Sequence, residues 1–351
     1  MSGGVDSAVA AALLRREGHE VVGVTMQLAD LSRHGLGASR CCSASDVETA
    51  AEVARMLGVR HYVLDMERAF EKAVLRPFVE SYLAGETPLP CARCNSEVKF
   101  GELLGVAARM DAGALATGHY ARVAREGGRA VLLRGRDAAK DQSYFLFGLR
   151  PEQLERVRFP LGEMRKEEVR ALARELDLPN ADRRDSQEVC FVPPGGSYVD
   201  VLEALAPGRL PGPGDVVDGS GRVVGRHPGH HAFTVGQRRG IGVAGDRRLY
   251  VVGVSAAENR VVVGGQEDAT RRTIVLRDVN WLAGELRPAT VAALVQVRSR
   301  HRAQAATVTP LNGGGVRVDF AEPVAAPAPG QAAVCYDGDR VLGGGWIASA
   351  S

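Results

Sequence analysis

Two cysteines three positions apart, in Cys91-Ala92-Arg93-Cys94, are the sharpest chemical feature of this sequence. The pattern places Cys94 just ahead of a helix N-terminus, beside Arg93 and one turn from Lys99. Each of those neighbours lowers a thiol pKa and favours the nucleophilic thiolate. The same spacing is half of a zinc site, and with no second C-x-x-C the other ligands would have to come from Cys41–Cys42, Cys190 or a histidine. Spacing alone leaves sulfur chemistry and metal binding both open. Cys190, isolated in Glu188-Val189-Cys190-Phe191, and Cys335, in the apolar run 332–336, read as buried apolar residues.

The second chemical feature opens the chain. Ser2-Gly3-Gly4-Val5-Asp6-Ser7 carries two glycines that allow a tight turn, then Ser7 as an N-cap for an Ala/Leu-rich helix over 8–17 that stops at Gly18. A glycine loop opening a helix is an anion site, because unpaired N–H groups and the positive end of the helix dipole converge there. Two basic clusters, Gly236-Gln237-Arg238-Arg239-Gly240 and Arg298-Ser299-Arg300-His301-Arg302, could contact phosphates or simply face solvent.

The elements that must position these residues follow from periodicity. Strands are expected at 20–26, 59–64 and 112–116, and helices at 46–57, 67–83 with a break near Pro77, 95–110 and 165–176. This alternation predicts an α/β domain, a parallel sheet with helices on both faces. Ligands then bind beyond the carboxyl ends of the strands, where Met26 and Gly118 fall. Such a loop is expected to follow a buried strand. None precedes it here, so the sequence is expected to start short of its natural beginning, leaving a gap in the sheet and a poorly stable protein. Residues 122–134 read as a hairpin turning at Gly127-Gly128. From about Pro193 the texture changes to short Val-rich runs between turns, which predicts a small β-rich central domain and then a C-terminal β-barrel. The expected boundaries are 1–195, 196–268 and 269–351.

Composition narrows the class further. The chain of 351 residues carries 44 Lys and Arg against 42 Asp and Glu, so any basic surface must be local. No apolar run is long enough to span a membrane, and the polar opening does not read as a secretion signal. Six cysteines are too sparse for a secreted disulfide framework, and a cytoplasmic location is expected.

Taken together, these motifs resemble a known family. SGGVDS is similar to the PP-loop of the ATP pyrophosphatases. TPLPCARCNSEVKF, ATGHYARV, LLRGRDAAKDQSYFL, SQEVCFVP, HAFTVGQRRGIGV and PVAAPAPGQAAVCYDGDRVLGGG resemble, in order and over nearly the whole chain, the motifs of the bacterial tRNA-uridine 2-sulfurtransferases. The resemblance implies ATP-dependent exchange of the wobble-uridine 2-oxygen for sulfur, with ATP and Mg²⁺ as cofactors. The implied partners are tRNA of the Glu, Gln and Lys type and a sulfur-relay protein that donates a persulfide. By the same resemblance Met1, Ser2, Gly3, Gly4, Val5, Asp6, Ser7, Met26 and Gly118 bind ATP. Cys94 is the nucleophile and Cys190 the persulfide carrier, and the two end each turnover as a disulfide. Leu89, Pro90 and Cys91 face the target base, while His119, Lys140, Asp141, Gln142, Arg300, His301, Arg302 and Gln331 contact tRNA.

The sequence departs from one form of the family at Cys91, where an aspartate stands. Three cysteines, Cys91, Cys94 and Cys190, could instead hold a [4Fe–4S] cluster with one iron open to sulfide. A second departure is Ser186-Gln187-Glu188-Val189 before Cys190, where a glycine is common. Cys41-Cys42 receives no role beyond packing or a metal contact. Two other readings compete: a PP-loop amide or amidine ligase, which needs neither cysteine, and an RNA-binding β-barrel protein with a degenerate nucleotide domain, which the intact SGGVDS opposes.

Overall fold

The computed structural model describes residues 1–36, 43–183, 189–243, 248–284 and 290–351. They form two compact units, one of residues 1–75, 90–197 and 339–341, the other of 76–89, 198–338 and 342–351. Cys41-Cys42 and residues 186–188 lie outside the described residues.

The first unit begins with α1 (Val5–Arg16), β1 (Val22–Gln27), α2 (Ala44–Met56) and β2 (Arg60–Asp65). Small side chains let α1 pack closely. Ala8, Val9, Ala10, Ala11 and Ala12 are all buried, the first three in a cluster with Val53, Leu161, Val169 and Ala173. Full burial of side chains such as Val9 and Val169 is worth about 1.5–3 kcal/mol each before entropy is counted. The helix ends at Gly18, whose φ of +86° suits glycine. Its start differs from expectation: the N-cap is Gly4, so Val5, Asp6 and Ser7 form the first turn and Ser7 is not the cap.

Next come α3 (Glu67–Phe70) and a π-helical turn over Glu71–Leu75, followed in the chain by α4 (Arg76–Leu83), which belongs to the second unit. Instead of a break near Pro77, the wider i→i+5 turn precedes the proline. That turn accommodates the residue that cannot donate, and helical structure continues. The stretch α5 (Pro90–Arg93), a π-helical run over Cys94–Glu102 and α6 (Leu103–Arg109) is likewise helical throughout. After it lie β3 (Leu115–Ala116), β4 (Ala121–Glu126), β5 (Arg129–Arg134), α7 (Pro151–Leu154), β6 (Val157–Arg158) and α8 (Lys166–Glu175). In this unit the described parallel pairings are β1 with β2, Val22 opposite Arg60 through Gln27 opposite Asp65, and β3 with β6. β4 and β5 form the expected hairpin, with Gly127 and Gly128 both at positive φ.

The second unit adds α9 (Tyr198–Leu205), a helix hidden from sequence by the surrounding Gly and Pro. Four strands, β7 (Gly214–Val217), β8 (Val223–His227), β9 (Tyr250–Ser255) and β10 (Arg260–Gly264), make a sheet of order β8-β7-β10-β9. The remaining strands are β11 (Thr270–Trp281), β12 (Val291–Gln296), β13 (Gln304–Pro310), β14 (Val316–Ala325), β15 (Ala332–Asp337) and β16 (Arg340–Ala350). They run β11-β14-β13-β12-β15-β16, and β16 pairs back onto β11 to close the expected barrel. Val295, Val308, Val318, Ile347 and Cys335 fill its interior, and burial pushes the Cys335 thiol up to about 12. Two of its strands carry little local signal: β13 is poor in large apolar residues, and β16 contains Gly343-Gly344-Gly345.

Candidate nucleotide and sulfur-transfer site

The glycine loop is closed by its own serines. Ser7 Oγ accepts from the Ser2 N–H at 3.1 Å and donates to the Gly4 carbonyl at 3.0 Å. Gly3 has φ +70°, and a Cβ there would lie 2.7 Å from the Asp46 carbonyl, so backbone angle and space both demand glycine. Gly118, just past β3, is fixed by contact: its Cβ would stand 2.7 Å from the Asp6 carbonyl carbon. Met1 lies against β1, its carbonyl accepting from Thr25 Oγ1 at 2.6 Å, and Met26 is on the same strand. Residues 1–7 and Gly118 thus lie at the first turn of α1, whose leading N–H groups have no intrahelical partner, while Met26 lies on β1.

Three side chains that sequence reasoning missed complete this loop. Lys166, at the start of α8, places its ammonium 2.8 and 2.9 Å from the two Asp6 carboxylate oxygens. The Tyr120 hydroxyl donates to Asp6 Oδ1 at 2.8 Å, and Lys166 sits 5.8 Å from the Tyr120 ring centroid. The buried Asn180 donates from Nδ2 to the Gly3 carbonyl at 2.9 Å. Separations above 100 residues leave no local signal for these contacts.

The cysteine site differs from expectation in one respect. Helix α5 begins at Pro90, because proline is suited to a first helical position, so Cys94 lies one turn inside a helical stretch rather than ahead of its N-terminus. Asn95 is no cap: its Nδ2 donates to the Phe145 carbonyl at 3.1 Å, and its Oδ1 accepts from Lys99 Nζ at 3.0 Å. Cys94 is buried and Cys190 half-buried. Cys91 is an exposed residue, but its sulfur is desolvated; that desolvation and then the neighbouring Cys190 thiol push its pKa up to about 11, with Lys99 pulling the other way. Cys190, distant in sequence, therefore acts electrostatically on Cys91 of the C-x-x-C. Phe191, fully buried and edge-on to Phe70 with ring centroids 5.9 Å apart, anchors the residue after Cys190.

Among the residues assigned to tRNA, His119 is buried and paired with Thr117 Oγ1 through Nδ1 at 2.8 Å. Burial, reinforced by the Lys99 charge, holds its pKa well below the usual histidine range, so it is neutral. Asp141 is saturated internally, accepting from Gly135 N, Ser143 N, Ser143 Oγ and Arg134 Nη1 at 2.8–3.0 Å. Gln142 Oε1 accepts from the Tyr120 N–H at 3.0 Å, and Lys140 precedes this knot. These groups build the platform after β5. In the second unit, Arg300, His301 and Arg302 occupy the connection between β12 and β13. His301 is held below its ordinary pKa by desolvation and by Arg298. Gln331 Nε2 donates to the Thr87 and Pro88 carbonyls, both at 3.1 Å, just before Leu89. Leu89 belongs to the second unit, Pro90 and Cys91 to the first.

A glycine loop opening a helix beside parallel strands, with two interacting cysteines in the same unit and a closed β-barrel in the other, defines an α/β nucleotide-binding enzyme domain with β-barrel appendages. Family models match accordingly: a tRNA methyl transferase HUP domain over residues 1–194, a tRNA methyl transferase PRC-barrel domain over 202–265 and an aminomethyltransferase beta-barrel domain over 271–347. Similar curated proteins include the tRNA-specific 2-thiouridylase MnmA of Rhodospirillum centenum, 50% identical and covering 100% of this chain and 91% of that protein. Those of Geobacter metallireducens (49%, covering 100% and 96%) and Acidithiobacillus ferrooxidans (48%, covering 99% and 96%) are also close. The chain belongs to the tRNA-specific 2-thiouridylase family.

Proposed function

We propose that this protein is an ATP-dependent sulfurtransferase that converts the wobble uridine of tRNA to 2-thiouridine. The observation that carries the reading is similarity to 2-thiouridylases at 48–50% identity over 99–100% of the chain. The uridine 2-oxygen attacks the α-phosphorus of ATP, pyrophosphate leaves, and the oxygen becomes part of a good leaving group. Loop residues 1–7 with Met26 and Gly118 bind the nucleotide, the first-turn N–H groups of α1 facing the phosphates. Cys190 accepts a sulfane sulfur from a donor protein as a persulfide. Its terminal sulfur attacks C2, the C2–O bond breaks and AMP departs. The Cys94 thiolate then attacks the Cys190 sulfur, the S–S bond to the transferred sulfur breaks, and a Cys94–Cys190 disulfide forms. A dithiol reductant supplies the two electrons that reopen it. That the Cys190 thiol acts on Cys91, in the same C-x-x-C as Cys94, supports this pairing.

Mg²⁺ accompanies the nucleotide. Among the described residues no group of three His, Cys, Asp or Glu could hold a metal ion, and the oxygens of the nucleotide phosphates are its proposed ligands. The same observation bears on the cluster alternative: Cys91, Cys94 and Cys190 do not converge as a three-thiolate set, and no step is derived through iron. Leu89, Pro90 and Cys91 are the proposed segment against the target base, and His119, Lys140, Asp141, Gln142, Arg300, His301, Arg302 and Gln331 are the proposed tRNA contacts. The proposed domains are 1–195, 196–268 and 269–351, supported by the three family-model spans. Among the described residues no helix is long and apolar enough to cross a membrane, and the proposed location is the cytoplasm.

The test is to incubate the protein with ATP, Mg²⁺, a persulfide donor and unmodified tRNA of the Glu, Gln or Lys type. Thiolated tRNA is expected from the wild type and not from Cys190→Ser. Undiminished product from that variant refutes the assignment of the carrier, and absence of product from the wild type refutes the function.

A further inference from the structure

The reaction scheme leaves unused the basic cluster Gly236-Gln237-Arg238-Arg239-Gly240, which precedes β9 in the second unit. It is a built turn. Gln237 Oε1 accepts from the Thr234 N–H at 3.1 Å and its Nε2 donates to the Arg239 carbonyl at 2.9 Å, so one side chain closes the turn from within. The Gly236 N–H donates to the Val251 carbonyl at 2.7 Å and the Val251 N–H donates to the Gln237 carbonyl at 2.9 Å, tying the turn to β9. Arg238 and Arg239 are exposed on this frame.

The other basic cluster of the unit is pinned in the same way and to the same place. The buried Gln296, at the end of β12, donates from Nε2 to the Arg298 and Ser299 carbonyls, both at 3.0 Å. The His301 N–H donates to the Arg298 carbonyl at 3.1 Å. Arg298 itself turns inward: its Nη2 donates to the Val235 and Ala326 carbonyls, both at 2.7 Å. Val235 and Ala326 share one buried cluster with Ala269 and Ala328. A Cβ on Gly236 would lie 2.8 Å from the Ala326 Cβ and 2.9 Å from Arg298 Nη2. Arg298 is thus a clasp between the two turns. Arg238 follows Gly236, and Arg300 follows Arg298, by two residues, at most about 7 Å of chain each.

Charge pairing separates these arginines from their neighbours. In the same unit Arg222, Arg226, Arg260, Arg277 and Arg317 each pair with a carboxylate. Among the described residues no carboxylate pairs with Arg238, Arg239, Arg300 or Arg302. Like charges gathered at one place repel, a cost that an anion lying across them removes. Guanidiniums match phosphate oxygens, and on rigid turns they lose little freedom when they bind.

We propose that Arg238 and Arg239 join Arg300 and Arg302 in one surface that holds the sugar–phosphate backbone of the tRNA, with Arg298 the positioning residue that fuses the two turns. The proposal rests on the reading of the protein as a tRNA-modifying enzyme. Contacts of this kind fix where the RNA lies without reading its sequence.

The experiment measures binding of end-labelled, unmodified tRNA of the Glu type to the full-length protein without ATP, by fluorescence anisotropy at several KCl concentrations. Thiolation kinetics and thermal melts are recorded in parallel. Each phosphate contact adds about 0.7–0.9 to the slope of log affinity against log salt, so Arg238→Gln/Arg239→Gln is expected to flatten the slope by about 1.5. Its KM for tRNA rises while kcat at saturating tRNA is kept. Arg222→Gln/Arg317→Gln removes the same charge from the same unit at paired sites and leaves the slope unchanged. Arg298→Met and Gly236→Ala each disturb the clasp, the second without changing any charge, and each flattens the slope by at least about 0.7, the share of one contact. An unchanged slope in Arg238→Gln/Arg239→Gln, or an equal flattening in Arg222→Gln/Arg317→Gln, overturns the surface. Full slopes in both Arg298→Met and Gly236→Ala overturn the positioning role. A wild type that binds no tRNA overturns instead the functional reading beneath it.

Discussion

Replacing Lys166 by Met tests the electrostatic frame of the nucleotide loop. The Lys166 side chain is 10% exposed and the Asp6 side chain 32%, and the ammonium contacts both carboxylate oxygens within 2.9 Å. Breaking a well-buried ion pair by removing one partner costs roughly 3–5 kcal/mol, because the remaining charge is stranded. Here a third of Asp6 is open to water and Tyr120 still donates to it, so the expected cost is reduced to about 2 kcal/mol. At about 2–4 °C per kcal/mol for a unit of this size, the thermal midpoint of the first unit falls by about 4–8 °C. Asp6→Asn alone strands the ammonium and also destabilises. The double variant Asp6→Asn/Lys166→Met removes both charges and recovers most of the loss, giving a coupling energy of at least about 2 kcal/mol in a double-mutant cycle. Calorimetry of the four proteins at pH 7 measures this. A midpoint change below about 1 °C in Lys166→Met, or strictly additive effects in the cycle, refutes the reasoning.

Three further outcomes are expected. Gly118→Ala brings a methyl group against the Asp6 backbone at 2.7 Å, so it costs about 1–3 kcal/mol and weakens ATP binding, both measurable by melting with and without ATP; an unchanged melt contradicts the packing argument. Glu86→Gln loses the paired bonds from Arg277 at 2.8 and 2.7 Å that hold the strap over 84–89 within the second unit, and limited proteolysis at that strap accelerates; an unaltered cleavage rate sinks the claim. Because burial lowers the His119 pKa, the unfolded state binds more protons as pH falls below the unfolded value near 6.5. Stability present above that value is therefore lost as pH falls, by up to about 1.4 kcal/mol per pH unit until the folded pKa is reached; denaturant melts at pH 7 and 5.5 show a smaller loss in His119→Asn than in the wild type.

Much of the fold was legible because periodicity and punctuation are local. Alternating strand and helix, the Gly127-Gly128 turn and the valine runs of β7, β9 and β10 each appear within a few residues. Where local signals compete, sequence reading misplaced element ends. Ser7 looked like an N-cap, yet its hydroxyl closes the glycine loop from inside the helix, and Pro90 rather than Asn95 begins the helical stretch that carries Cys94. Pro77 looked like a break until a π-helical turn absorbed it.

The residue types for the chemistry, a glycine loop and three cysteines, are written in the sequence itself. Spacing within a few residues limits what they can do, and order along the chain ties them to a family. The sequence could not show which groups those residues face. Lys166 on Asp6, Asn180 and Arg183 on the Gly3 carbonyl, and Cys190 acting on Cys91 join positions far apart in the chain. Such contacts depend on how helices and strands stack, which burial of apolar surface decides over the whole unit rather than over any local window.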